Sequence, residues 1–339
     1  MIVITVAVAF QVEQAAVAAP TSGFDDSAEG VRGWLGDIVL EAECSLDPVN
    51  ESRFIPNERL LIIRGGRSAE MGLAMPSYED IRYEVEEATA IITIDRPERY
   101  NAFRGQTVEE LIKAFRAAWA DRQVQVVILT GAGEKAFCTG GDVKQRAETG
   151  DYGPTESGMF EIGNLHKVIR DIPKPVIAAV NGVAVGGGHV LHVLCDLSIA
   201  SETARFGQAG PKVGSFDAGF GSAYLARVVG EKRAREIWYL CRLYDATTAE
   251  RWGLVNKVVP ADQLLKEARE WAGQIAEKSP TALRFLKQSF NADTDHQAGL
   301  SNLAMSALDL FTASPEGLEG AAAFAEKRTP DFNQHVNWH

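Results

Sequence analysis

Two glycine corners constrain this chain more than any other feature. "FCTGGD" (137–142) and "AVGGGHVLHVLCD" (184–196) each follow a short strand-like run and open onto a helix-like pattern. Glycine carries no side chain, so a second backbone or a ligand can approach it closely. Two such corners can aim two main-chain N–H groups at one point. Corners used only for tight packing would carry the same glycines, so this feature alone leaves both uses open. The chain has neither GxGxxG nor GxxxxGK[ST], which removes the dinucleotide fingerprint and the phosphate loop.

The pattern around the corners sharpens from Ser77. "IRYEVEEATAIITIDRP" reads as two strands joined by a short turn and ended by Pro97. Val108, Leu111, Ile112, Phe115 and Trp119 recur at helical spacing. "VQVVILTGAG" and "KPVIAAVNGVAVGGG" read as buried strands closed by glycine turns, and "GNLHKVIRDI" as a helix stopped by Pro173. "VLHVLCDLSIAS" is expected to be a helix running into a strand, followed by the glycine-studded loop "FGQAGPKVGSFDAGFGS". Beyond Ala223 the chain reads as helices, with N-cap signals at Thr247, Asp262 and Ser279. Alternating strands and helices with a helical tail predict an α/β core. We expect a core over 75–260, a C-terminal helical oligomerisation region over 261–339, and an extension over 1–74.

That extension is expected to be poorly ordered or to precede the true start at Met75. "MIVITVAVAF" is too short to span a bilayer. "AVAAP" can pass for a signal-peptidase site, but no Lys or Arg precedes the apolar run. The expected location is the cytoplasm, with no membrane partner. The formal net charge of -12 disfavours nucleic-acid binding, which runs on phosphate neutralisation. Cys44, Cys138, Cys195 and Cys241 form no CxxC or zinc pattern and read as buried free thiols. The scattered histidines show no HExxH spacing, so no metal site is expected.

The order of these signals resembles the crotonase (enoyl-CoA hydratase/isomerase) superfamily over about residues 78–332. "NAFR", "AFCTGGD", "VGGGHVLHVLCD", "FGQAGPKVGSFDAGFGSAYLAR", "AREIWYLCR" and "KRTPDF" are similar to the 1,4-dihydroxy-2-naphthoyl-CoA synthases. The resemblance implies a repeated ββα spiral core and a coenzyme A thioester as substrate, with no tightly bound cofactor. It implies that the backbone N–H groups of Gly141 and Gly187 bind the thioester oxygen and hold an enolate. CoA and substrate would lie along Thr139, Gly140, Gly141, Asp142 and Val143, and along Val183, Ala184, Val185, Gly186 and Gly187. Ala209, Thr312 and Lys327 would complete that binding set, although "EKR" at Lys327 reads equally as a solvated charge run.

The glutamates that hydratases use match Val190 and Gly210, neither able to move a proton, so hydration is not expected. Gly210 resembles a subgroup that seats bicarbonate as external base; its side would be open, with Gln208 binding the ion or merely bracing the loop. Asp217 and Ser215 are the side-chain candidates. An Asp in a partly dry, glycine-rich site can exchange protons with substrate, or it can cap the next helix. Ser215 would orient a substrate carbonyl or carboxylate, since no GxSxG elbow surrounds it. Tyr152, in "ETGDYGP", matches a tyrosine that closes over substrate or packs a lid.

Three departures stand out. The synthases' C-terminal tyrosine aligns with Thr312, their CoA-side arginine with Tyr100, and the glutamine after "GGD" with Val143. "NAFRG", "IRDIPKPVIA" and "SFNADTDHQAG" look more like the 2-ketocyclohexanecarboxyl-CoA hydrolases, which open a β-keto ring with water. The expected activity is therefore a Claisen (Dieckmann)-type ring closure, the alternative being a ring-opening hydrolysis. A non-catalytic binding module is the rival from another class, disfavoured by the acidic balance and by the lack of a basic aromatic patch. Crotonase relatives imply a homotrimer or homohexamer.

Overall fold

The structure is a computed structural model that describes residues 78–336 apart from Asp151. The extension expected over 1–74, its signal-peptide alternative and Cys44 all lie outside the described residues.

β1 (Ile81–Glu86) and β2 (Thr89–Ile94) form the expected hairpin, and α1 (Gly105–Ala120) follows. Strand–strand–helix units come next. β3 (Val126–Gly131) and β4 (Ala136–Cys138) lead to α2 (Val143–Thr149) and α3 (Ile162–Asp171). β5 (Val176–Val180) and β6 (Val183–Val185) lead to α4 (Gly187–Leu194), and β7 (Leu197–Ser201) and β8 (Arg205–Gly207) close the series. The first strand of each pair enters a six-stranded sheet of order β1-β2-β3-β5-β7-β10, where β10 is Lys257–Val259. The second enters a four-stranded sheet of order β4-β6-β8-β9, where β9 is Tyr244–Asp245. This is the expected crotonase-like spiral. Its consequence for function is that β4 and β6 lie side by side, Ala136 opposite Val183 and Cys138 opposite Ala184. Two corners far apart in sequence are thereby neighbours.

Burial explains the sheet. β2, β3 and β5 are buried at every position, as parallel strands covered on both faces must be. Alternate side chains serve opposite faces. Ile91, Val126, Ile128, Ile177 and Ile199 pack towards Leu264, Ala268 and Ala272 of α8 (Leu264–Ala276), with α5 (Leu225–Val229), α6 (Glu231–Leu240) and α7 (Ala246–Arg251) preceding it. Ile92, Ile94, Val127, Leu129, Ala178 and Val180 join Phe115, Phe137 and Phe206 in the inner core.

The caps differ in part from expectation. Asp245, not Thr247, caps α7, accepting from the Thr248 N–H at 2.8 Å. α8 follows a 3-10 turn with no side-chain cap, so Asp262 does not serve. Ser279 does cap α9 (Pro280–Ala292), accepting from the Ala282 N–H at 3.3 Å. A π-turn over Phe220–Tyr224 replaces the start of the helix expected from Ala223. α10 (His296–Thr312) and α11 (Pro315–Ala325) complete the tail, and Phe285, Phe290, Leu303 and Leu310 are exposed along it. Among the described residues no helix is long and apolar enough to cross a membrane.

Candidate active site

The first corner is built by its backbone. After β4 the chain turns at Gly140, whose φ of +84° favours glycine. The Phe103 N–H donates to the Gly140 carbonyl at 2.8 Å and the Asp142 N–H donates to the Phe103 carbonyl at 2.9 Å. In this parallel bridge the Gly141 amide is left on the other side, without an acceptor among the described residues. Asp142 is buried and locks the turn. Its Oδ1 accepts from the Gln145 N–H at 3.1 Å, and its Oδ2 pairs with the buried Arg96 at 3.2 Å.

The second corner presses against the first. Gly186 turns with φ +58° and donates its N–H to the Gly207 carbonyl at 3.2 Å. Gly187 then opens α4, so its N–H has no carbonyl one turn back and finds no acceptor among the described residues. A Cβ on Gly140 would lie 2.9 Å from the Gly187 nitrogen, and one on Gly187 would lie 2.6 Å from the Phe103 ring. A Cβ on Gly188 would overlap the Cys138 carbonyl. The three consecutive glycines thus meet three needs: a turn, a ring and a carbonyl.

Both corners line one cavity of about 1600 Å³. Residues 139–143, Val183, Val185, Gly186, Gly187, residues 208–210, Tyr152, Ser215, Asp217 and Thr312 all line it. Two expected residues do not. Ala184 is fully buried in the inner core, because strand alternation turns it away from its neighbours Val183 and Val185. Lys327 is exposed at the end of α11, outside the cavity.

Tyr152 sits on the first corner. A Cβ on Gly141 would come within 2.5 Å of its ring, and the ring stacks on Phe160 at 4.4 Å. Its segment is anchored rather than loose: Gly105 donates to the Tyr152 carbonyl at 2.7 Å, and Glu109 accepts from the Glu156 and Ser157 N–H groups.

At Gly210 the expected open side is closed. A Cβ there would lie 2.6 Å from the Ser215 carbonyl and 3.0 Å from the Trp238 ring, so packing alone demands glycine. Gln208 is buried and makes one long contact, from its Nε2 to His189 Nδ1 at 3.4 Å. Asp217 Oδ1 accepts from the Gly219 and Gly221 N–H groups at 3.1 and 2.9 Å, bracing the turn without standing at the N-cap, which is Gly219, and Oδ2 has no partner among the described residues. Val190, matching a hydratase glutamate, is buried away from the cavity.

Sequence reasoning missed His166 and Arg170, which line the cavity from α3. Their signal was present: a polar pair at i and i+4 beside the apolar stripe of Leu165 and Ile169. Arg170 is buried, donates to Thr294 Oγ1 at 3.0 Å and lies over the Phe220 and Tyr224 rings. Burial pushes the His166 imidazole below its ordinary value, with Asp217 opposing, which favours the neutral ring.

A spiral of strand pairs whose two glycine corners leave adjoining amides uncommitted in one cavity is the crotonase fold. Residues 84–335 match the enoyl-CoA hydratase/isomerase family model, and the chain belongs to that family. Solved structures agree. An enoyl-CoA hydratase from Mycobacterium avium subsp. paratuberculosis is 29% identical, with TM-score 0.67, over 76% of this chain and 99% of that one. An enoyl-CoA hydratase from Bacillus anthracis is 34% identical, with TM-score 0.58, over 75% and 98%. A monofunctional enoyl-CoA isomerase from M. smegmatis is 33% identical, with TM-score 0.55, over 64% and 94%.

Proposed function

We propose that this enzyme closes a ring through a thioester enolate, in a Claisen (Dieckmann)-type step like that of the naphthoyl-CoA synthases. The observation that carries the reading is the pair of uncommitted N–H groups at Gly141 and Gly187, in the same cavity as Ser215 and Asp217. An α-proton leaves, the C–H electrons move onto the thioester oxygen, and the two N–H groups hold that charge. One such donor contributes about 3–4 kcal/mol of transition-state stabilisation. The enolate carbon attacks the aryl carboxyl carbon of o-succinylbenzoyl-CoA, Ser215 orients that carboxyl, Asp217 delivers a proton, and water departs. With the side of Gly210 closed, Gln208 on the same cavity wall would hold bicarbonate, which when bound supplies a base for the α-proton. Val190 and Gly210 offer no such group for hydration.

A ring-opening hydrolysis is favoured by one observation. Thr312 Oγ1 donates to the Asp309 carbonyl at 3.2 Å, so it is no substitute for a phenol directed at substrate. In that version water attacks a ring ketone with Asp217 assisting, and carbon–carbon cleavage yields the same kind of enolate. The exposed apolar side chains of α9 and α10 support assembly as a homotrimer or homohexamer, which sedimentation reads directly.

The test is incubation with o-succinylbenzoyl-CoA and with 2-ketocyclohexanecarboxyl-CoA, each with and without bicarbonate. Loss of the first, with one water released and a gain from bicarbonate, is expected. Consumption of the second alone reverses the order of the two readings. Rapid hydration of crotonyl-CoA overturns both.

A further inference from the structure

Buried polar side chains are hydrogen-bonded as a rule, and each exception calls for a cause. Among the described residues the buried side-chain atoms without a partner belong to Tyr78, His166, His189, His192, Gln297 and His335. Of these only His166 lines the cavity. Among the buried histidines of the described residues it alone is bare at both Nδ1 and Nε2. His189 and His192, by contrast, have their Nδ1 atoms beside Gln208 and Ser198.

His166 is 1% exposed and meets the Phe220 ring edge-on, with centroids 6.0 Å apart. Arg170, one turn further along α3, is committed to Thr294, Asn291 and Asp295. Phe220 and Arg170 thus leave the imidazole no partner of their own. A neutral imidazole always has one N–H to give and one lone pair to receive. Asp217 lines the same cavity and already brings one acidic group to it, which favours an uncharged ligand group over a second carboxylate.

We propose that His166 is a specificity-determining residue that donates a hydrogen bond to a carbonyl oxygen on the acyl group, remote from the thioester. The proposal rests on the acyl-CoA reading above and narrows it: the acyl group carries a second, uncharged carbonyl, in a ketone or a protonated carboxyl. A site built to hydrogen-bond such an oxygen rejects the analogue lacking it, because its own polar atoms are then left bare.

The experiment compares binding of CoA, cyclohexanecarboxyl-CoA and 2-ketocyclohexanecarboxyl-CoA to the full chain and to His166→Leu and His166→Gln. His166→Leu is expected to weaken the ketone at least tenfold and the other two less than twofold. His166→Gln, which keeps an N–H donor, is expected to recover most of the loss. Imidazole 15N signals of the unaltered protein, with His166 assigned through His166→Gln, should shift with the ketone only, so the test survives if His166→Leu fails to fold. Equal loss for all three ligands, or an imidazole signal indifferent to the ketone, overturns the role of His166 and leaves the acyl-CoA reading standing. Failure of the unaltered protein to bind any of the three overturns both.

Discussion

The cavity has two ends made in different ways. At the corners, main chain meets main chain: Gly140 against the Gly187 nitrogen, Gly188 against the Cys138 carbonyl. At the wall around His166, Ser215 and Asp217, side chains arrive from α3 and from the loop before α5. Backbone donors held by packing offer the same field to any thioester. Side chains choose among acyl groups. Damage at the corners should therefore cost turnover whatever the acyl group, and damage at the wall should depend on it.

Substitutions break or sharpen that contrast, and the largest effect is expected beneath the first corner. Arg96→Met leaves the buried Asp142 carboxylate without its arginine, while Asp80 keeps Arg104, and should cost about 3–5 kcal/mol of stability in urea unfolding. Gly187→Ala puts a methyl group against Phe103 and displaces a donor. It should lower kcat by about 10²–10³, equally for two unlike acyl groups; unequal losses would erase the distinction. Asp217→Asn still accepts from Gly219 and Gly221 through its amide oxygen, so it should fold normally while losing about 10² in kcat.

Acid should act through the histidines. Burial holds His166, His189 and His192 below their ordinary value, His189 at about 3. The unfolded chain then binds more protons than the native one, so stability falls as pH drops through about 6.5, by at most about 1.4 kcal/mol per pH unit for each such histidine. Unfolding free energies between pH 7 and 5 check this. The smallest effect is remote from both ends: Ser279→Ala should cost about 1 kcal/mol and leave kcat alone.

What was legible in the sequence follows the same division. The corners were readable because glycine is demanded there by backbone geometry, and geometry of that kind appears directly as residue type. The buried strands were readable because continuous β-branched runs have few other uses. Ala184 was readable in principle, since a two-residue period separates it from Val183 and Val185, but it was expected as part of a contiguous binding segment. The expectation of room at Gly210 had the right residue and the wrong neighbour, since only the fold brings the Ser215 carbonyl to it. The cap at Asp245 competes with Thr247 two residues on, and the outcome depends on where β9 ends. His166 was hidden because one polar residue beside an apolar helical stripe resembles a surface residue until Phe220 folds against it.

If the Gly141 and Gly187 amides grip a thioester oxygen together, the carbonyl they hold must be polarised. Infrared difference spectroscopy of cyclohexanecarboxyl-CoA carrying 13C at its thioester carbonyl reads that grip directly. The bound carbonyl stretch should fall below its frequency in water, and should recover most of that fall in Gly187→Ala. A bound carbonyl at the water frequency in the unaltered protein would contradict the grip.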